Sequence, residues 1–377
     1  MMILMDDRLP LPDLLSQALV AFIVEFDNEF EHRTPHRTTN QPTTAGLRHV
    51  PWLVSRVMWS RFMQFVEPEG GPVGALQKRM RASREEMDFC LKRMGAWWRY
   101  IDVAQESSTP RSRASFANAI VRPTSGGGKA IEEWRPLDAL IEQRWEQRFG
   151  APALDRLKTS LREAAVRLQV ESCSSLPVLG YGLTSDGLAP APVKPSDRAH
   201  RPALESLPVL LSSVLLAFAN EFERQSDVSL AICANVLRFA GDRDVPAADL
   251  PRLAGISKEA IAMALSFLKA RGLASLSLDG SKRRVLKLTA KGKRACQTYR
   301  ERVQAIEGRW TAVLGQEAFA ALLDSLEVLV CGPSGSPSPL FLGLEPYPDG
   351  WRAELPRPEH LPHFPMILHR GGFPDGS

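Results

Sequence analysis

The sequence predicts a mainly α-helical protein with small β-hairpin wings, laid out as two copies of one unit. Three observations predict it. Apolar residues recur at helical spacing over long stretches, two short alternating stretches flank an Asp279-Gly280-Ser281 tip, and the first half returns segment by segment in the second.

The opening helix shows the return most clearly. Leu11-Pro-Asp-Leu-Leu-Ser-Gln-Ala-Leu-Val-Ala-Phe-Ile-Val-Glu-Phe26 comes back as Leu207-Pro-Val-Leu-Leu-Ser-Ser-Val-Leu-Leu-Ala-Phe-Ala-Asn-Glu-Phe222. Further on, Phe65, Pro72, Leu76, Ser83, Glu85 and Leu91 meet Phe239, Pro246, Leu250, Ser257, Glu259 and Leu265. Then Thr124, Gly127, Ile141, Glu142, Trp145 and Gly150 meet Thr289, Gly292, Ile306, Glu307, Trp310 and Gly315 without a gap. The first copy is longer in two polar stretches, at about 32–46 and 105–116, where insertions belong in surface loops. The domain plan is therefore a first copy over 1–187, a Pro/Ala-rich connector over 188–206 and a second copy over 207–356. A proline-rich, apolar C-terminal arm over 357–377 is expected to lie extended on the body.

Each element of the second copy follows from local signals. Leu207, Leu210, Leu211, Val214, Phe218 and Phe222 form the stripe of a long first helix, and a second helix covers roughly Ser229 to Phe239. A third follows Pro246. Ser257 reads as an N-cap, and the helix it starts runs to Gly272, so an Ala-Gly turn joins two short helices into a helix-turn-helix. Ser275 to Leu278 and Val285 to Leu288 alternate as a β-hairpin. A long helix then carries Tyr299, Val303, Ile306, Trp310 and Leu314 on one face, and a last one spans about Glu317 to Val330. That order describes a winged helix with extra terminal helices. The first copy keeps Thr124 and Gly127 but places Pro123 at the end of its second wing strand, which puts wing pairing there in question.

With those residues in place, the segment Gly272-Leu-Ala through Asp279-Gly-Ser-Lys-Arg-Arg-Val-Leu-Lys-Leu-Thr-Ala-Lys-Gly292 resembles the wing of the MarR family of bacterial transcriptional regulators. The resemblance implies winged-helix units whose first and last helices pair, DNA held by helix and wing, and a small effector bound between. Two copies imply an intramolecular pseudo-dimer of two MarR-like repeats, either monomeric or pairing further as a homodimer.

Composition sets the outer limits. The 377 residues are 44% hydrophobic and 24% charged, which excludes wholesale disorder, and a net charge of +4 is too mild to announce a polyanionic partner by itself. Five scattered cysteines suggest neither a disulfide framework nor a metal site, and point to a cytoplasmic home. No leader and no membrane span is expected.

Local basic clusters carry the functional reading. Lys282, Arg283 and Arg284 at the second wing, with Lys258 at the start of its reading helix, are the candidate DNA contacts of the second copy. Lys78, Arg79, Arg81 and Arg84, around the first copy's turn, and Arg111 and Arg113, at its long wing tip, are those of the first. Against the first copy stands Glu85-Glu86-Met87-Asp88, acids that suit a helix start but repel phosphate. Core packing is the ordinary account of Trp52 and Trp59, placed on the first copy's second helix; the resemblance puts effectors near that helix, which makes them the candidate effector contacts. The glycines of Ser125 to Lys129 lack the P-loop's required Ser or Thr and read as a helix start, while His360, His363 and His369 read as isolated surface residues. Nothing recommends an enzyme, a cofactor or a metal. The rival is a degenerate winged helix that binds a ligand or partner protein without reading DNA.

Overall fold

The computed structural model describes residues 8–34, 37–43, 46–52, 55–80, 82–104, 113–172, 205–241, 244–331, 338–350, 353 and 359–365. Helix α1 (Leu11–Arg33) opens the chain with Pro12 in its first turn, where the missing N–H costs nothing. A two-stranded hairpin of β1 (Arg37–Thr43) and β2 (Gly46–Trp52) follows, with Thr39 opposite Val50. Within the expected loop at 32–46, His32 and Arg33 end α1, and the described residues 37–43 and 46 belong to a β-ribbon that runs on to Trp52. Trp52 ends a strand instead of lying on a helix, opposite Arg37 across the ribbon.

The first unit continues through α2 (Arg56–Arg61), a 3-10 turn over Met63–Phe65, β3 (Gly71–Pro72), α3 (Val73–Met80) and α4 (Arg84–Lys92), which runs on into a π-helical turn, Arg93–Trp97. Then come β4 (Ile101–Ala104), α5 (Arg113–Asn118), β5 (Ile120–Pro123), α6 (Ser125–Trp134), α7 (Leu137–Phe149) and α8 (Ala151–Arg167). The expected wing-tip insertion at 105–116 lies outside the described residues up to 112, and its end begins α5.

The wing does pair, Ile101 opposite Pro123. Thr124 N donates to Tyr100 O at 2.9 Å, so the neighbouring Ile101–Pro123 pair is a non-hydrogen-bonded one, and the proline's missing N–H falls where the ladder needs none. Arg135-Pro136 breaks the long helix into α6 and α7.

The connector at 188–206 lies outside the described residues up to 204. The second half begins with α9 (Leu207–Glu223), followed by α10 (Leu230–Ile232) and α11 (Arg238–Ala240) joined through a π-helical turn, Cys233–Leu237. Next are β6 (Val245–Pro246), α12 (Leu250–Ala254), α13 (Lys258–Ala270), β7 (Ala274–Leu278), β8 (Arg284–Leu288), an unbroken α14 (Ala290–Leu314), α15 (Gln316–Val330) and a 3-10 turn, Pro339–Leu344. The two small antiparallel sheets have strand orders β3-β5-β4 and β6-β8-β7.

Matched residues make matched contacts. Ser83 and Ser257 cap α4 and α13, accepting from Glu86 N at 3.1 Å and Ala260 N at 3.2 Å. Thr124 and Thr289 accept from Gly127 N at 3.0 Å and Gly292 N at 3.1 Å. A Cβ on Gly127 or Gly292 would fall 1.9 Å from the carbonyl oxygen of Tyr100 or Leu273, so the helix start presses on the wing backbone and only glycine fits. Trp145 Nε1 donates to Glu25 at 3.0 Å, and Trp310 Nε1 to Glu221 at 2.8 Å. The rings of Phe22 and Trp145 lie edge to face at 5.5 Å, those of Phe218 and Trp310 at 5.3 Å.

From Leu11 to Phe30 every residue of α1 except Gln17 is buried, so the helix is surrounded on all sides. It packs against α9, α15, α7, α2, α6 and the 3-10 turn Pro339–Leu344. The N-terminal amides of the two opening helices are capped from opposite halves: Leu11 N donates to Glu307 of α14, and Leu207 N to Glu142 of α7, both at 2.7 Å. One continuous hydrophobic core spans both halves. Among the described residues no helix is long and apolar enough to cross a membrane.

Candidate nucleic-acid interface

In the second half, α12 ends at Gly255, which takes the left-handed conformation, and α13 starts three residues later. The buried face of α13 carries Ala260, Ile261, Ala264 and Leu268. Its exposed face offers Lys258, Glu259, Ala262, Met263, Ser266 and Lys269. Its middle, Ala262, Met263 and Ser266, is small or apolar, which suits close approach and contact with a thymine methyl group more than bidentate hydrogen bonding to a base edge.

The wing tip is built around Asp279. Its carboxylate accepts from Ser281 N at 2.8 Å, Arg283 N at 2.9 Å and Arg283 Nε at 3.1 Å. Those donors, the Arg283 amide foremost, hold the carboxyl below its usual range and lock the turn in which Lys282 adopts φ +59°. Arg283 is therefore committed to the tip's own structure. Lys282, Arg284, Lys293 and Arg294 are exposed and have no acidic partner among the described residues, while Lys287 is paired with Asp244 at 3.0 Å. Valine and leucine at 285 and 286 anchor β8 inside. The result is a rigid ribbon next to a helix start, studded with cations free to meet phosphates.

The first half differs where it faces outward. On α4, Arg84, Glu85, Asp88 and Lys92 are exposed. Arg84 lies 3.6 Å from Asp88 and over the Phe116 ring at 3.7 Å. Glu85 is held below the usual carboxylate range by its own backbone amide and then by Ser83, so it stays ionised at the helix start. On α3, Lys78 is exposed, and Arg79 pairs with Glu67 at 2.5 Å. Arg81 and Arg111 lie outside the described residues. Arg113 begins α5, and its side chain also lies outside them. The candidate cations thus fall on two separate units, Lys78, Arg79 and Arg84 on one, Lys258, Lys282, Arg283 and Arg284 on the other.

Of the two expected effector contacts, Trp59 lies in the core. Trp59 has 0% exposure and stacks on Trp134 at 4.8 Å, with Phe30 and Tyr100 edge-on at 5.4 and 5.5 Å. Aromatic rings fill the space around it, which makes Trp59 core. Trp52's side chain lies outside the described residues. A cleft of about 180 Å³ is lined by Arg144, Arg148, Gly343 and Tyr347, smaller than the usual drug-sized site. Its charges are already paired, Arg148 with Glu25 at 3.0 Å and Arg144 with Glu29 at 2.7 Å.

His363 is buried, in contrast to the surface position expected for it. It reaches Asp13 at 2.9 Å and Arg238 at 2.7 Å, because the chain around it is docked between helices. Among the described residues no group of His, Cys, Asp and Glu is placed to hold a metal ion.

No protein-family model matches the chain, and no curated protein does. A crystal structure of a MarR-family transcriptional regulator from Rhodococcus sp. RHA1 aligns at 21% identity over 31% of this chain and 86% of its own, with a TM-score of 0.27, too low to place the fold.

Proposed function

We propose that this protein is a sequence-specific, double-stranded-DNA-binding transcriptional regulator of MarR-like, winged-helix type. In this reading residues 1–187 and 207–356 are two winged-helix repeats that pair within one chain as a pseudo-dimer, cytoplasmic, effector-responsive and without a catalytic role. The pairing rests on the packing of α1 against α9 and on the reciprocal capping by Glu307 and Glu142.

One observation carries the DNA reading: a helix-turn-helix stands beside a locked wing whose Lys282, Arg284, Lys293 and Arg294 are exposed and unpaired by acids among the described residues. Cations held on a rigid ribbon displace condensed counterions from a duplex at little further ordering cost. The second unit supplies most of the affinity, and the first, with Glu85 and Asp88 outward, tunes position. A mobility-shift series from low to high salt tests this. Binding that weakens steeply with salt is expected, and a flat response refutes it.

The exposed Glu85 and Asp88 favour a second reading, in which the scaffold binds a ligand or partner protein and has lost DNA readout. Tight binding of such a partner, with no enrichment from random duplexes, would select it.

A further inference from the structure

Residues 359–365 lie in a crevice between the opening helix of the first half and the DNA-reading unit of the second. Asn235, at 0% exposure, reads their backbone: its Oδ1 accepts from His363 N at 3.1 Å and Phe364 N at 3.2 Å, and its Nδ2 donates to Phe364 O at 2.5 Å. Ser16 of α1 donates to Pro362 O at 2.8 Å. Every one of these contacts is to a backbone group, the way an extended peptide is recognised irrespective of most side chains. Specificity comes from His363, within 2.9 Å of the wholly buried Asp13, and from Phe364, which is only 2% exposed.

The same segment rests on the helix-turn-helix itself. A Cβ on Gly255, the turn glycine, would sit 2.3 Å from His360 O, and Arg252 of α12 pairs with Glu359 at 3.4 Å. The arm therefore touches α1 with one edge and the reading turn with the other. Its seat is mixed: Asp13, Ser16, Asn235 and Arg238 line the polar part, while Leu361 and Phe364 of the arm are buried in the hydrophobic core, so lifting the arm wets both kinds of surface.

We propose that this crevice is a peptide-recognition site, filled in cis by residues 359–365, and that its occupancy stiffens the second helix-turn-helix against the body. The consequence for DNA binding, weaker affinity when the arm is lifted, rests on the function proposed above; the stiffening does not.

The test uses the full-length chain with Leu361→Ser, His363→Ser and Phe364→Ser, which releases the arm without touching either reading unit, and Ser16→Ala as a milder companion. Amide exchange over 250–270 should rise on the order of tenfold while exchange over 84–97 stays as in the parent, with a smaller rise of the same pattern for Ser16→Ala. A synthetic peptide of residues 359–365, titrated into the triple variant, should bind and restore protection. Unchanged exchange over 250–270, an equal rise in both units, or a peptide that neither binds nor protects overturns the proposal. If the parent binds no duplex, the DNA reading fails while exchange and peptide binding still decide the strap. If the triple variant shows the exchange change but binds duplex as tightly as the parent, the claimed link to DNA affinity is overturned.

Discussion

On the proposed DNA-binding function, removing wing cations should change not only affinity for a duplex but how that affinity depends on salt. Lys282, Arg284 and Lys293 are exposed and without acidic partners among the described residues, so each is free to neutralise one phosphate. Each such contact contributes about 0.9 to the slope of log affinity against log salt, and the triple alanine variant should therefore lose about 2.7 from that slope. Across a fourfold rise in salt, each contact accounts for roughly a 3.5-fold loss of affinity. Arg283 serves as the internal control. Its guanidinium and amide are bound to Asp279, so Arg283→Ala should lower affinity by loosening the tip while leaving the slope nearly as it was. Fluorescence anisotropy with a labelled duplex at several salt concentrations reads both quantities. A triple variant with the parent's slope, or an Arg283→Ala variant that changes the slope as much as Arg284→Ala, would refute the assignment of free and committed cations.

Further expectations concern the body. Burial pushes the Glu223 carboxyl up to about 7, against hydrogen bonds from Ser229 and Leu230 N that favour the ionised form. A folded-state value above the unfolded one makes this group cost stability as pH rises from about 4.5 to 7, so Glu223→Gln should flatten that part of the pH–stability profile and add on the order of 1–2 kcal/mol at pH 8, after allowance for screening. An unchanged profile would show that Glu223 does not titrate there. Glu142→Ala and Glu307→Ala each strip a helix cap supplied by the other half, and each should cost about 1 kcal/mol in denaturant unfolding. Loss from neither would mean the cross-capping does not hold the halves. Trp59→Ala should cost about 3–5 kcal/mol, as for a filled aromatic core, and a variant of near-parental stability would return that site to the ligand-pocket reading.

Much of the fold was legible because its signals are local or periodic. Ser257, Gly255, Thr289 and Gly292 each act within a few residues of themselves, and they sit where capping and close approach require them. The β1–β2 ribbon was not legible: Thr-, Asn- and Pro-rich sequence reads as loop, and only the pairing of two such stretches turns it into strands. The core role of Trp59 was the ordinary reading of its sequence position, but helical spacing places an aromatic on a face without telling what fills the space opposite. The arm's docking was foreseen only as contact with the body. Its crevice needed Asp13 and Asn235, two buried polar residues with apolar neighbours in sequence, to be brought together across more than half the chain. A polar residue flanked by a mostly apolar stretch was the available signal, because burial obliges it to find a partner. The split between committed and free wing cations depends on the Asp279 turn geometry, which no charge count reveals.

Selection from a random pool of duplex DNA by the full-length protein bears most directly on the claim that two paired winged-helix units read one operator. The account predicts an enriched site with two unlike halves centred about one helical turn, roughly 10 base pairs, apart, the half under the second unit the more strongly specified. A pool that emerges without enrichment, or with one isolated half-site and no preferred spacing, would contradict it.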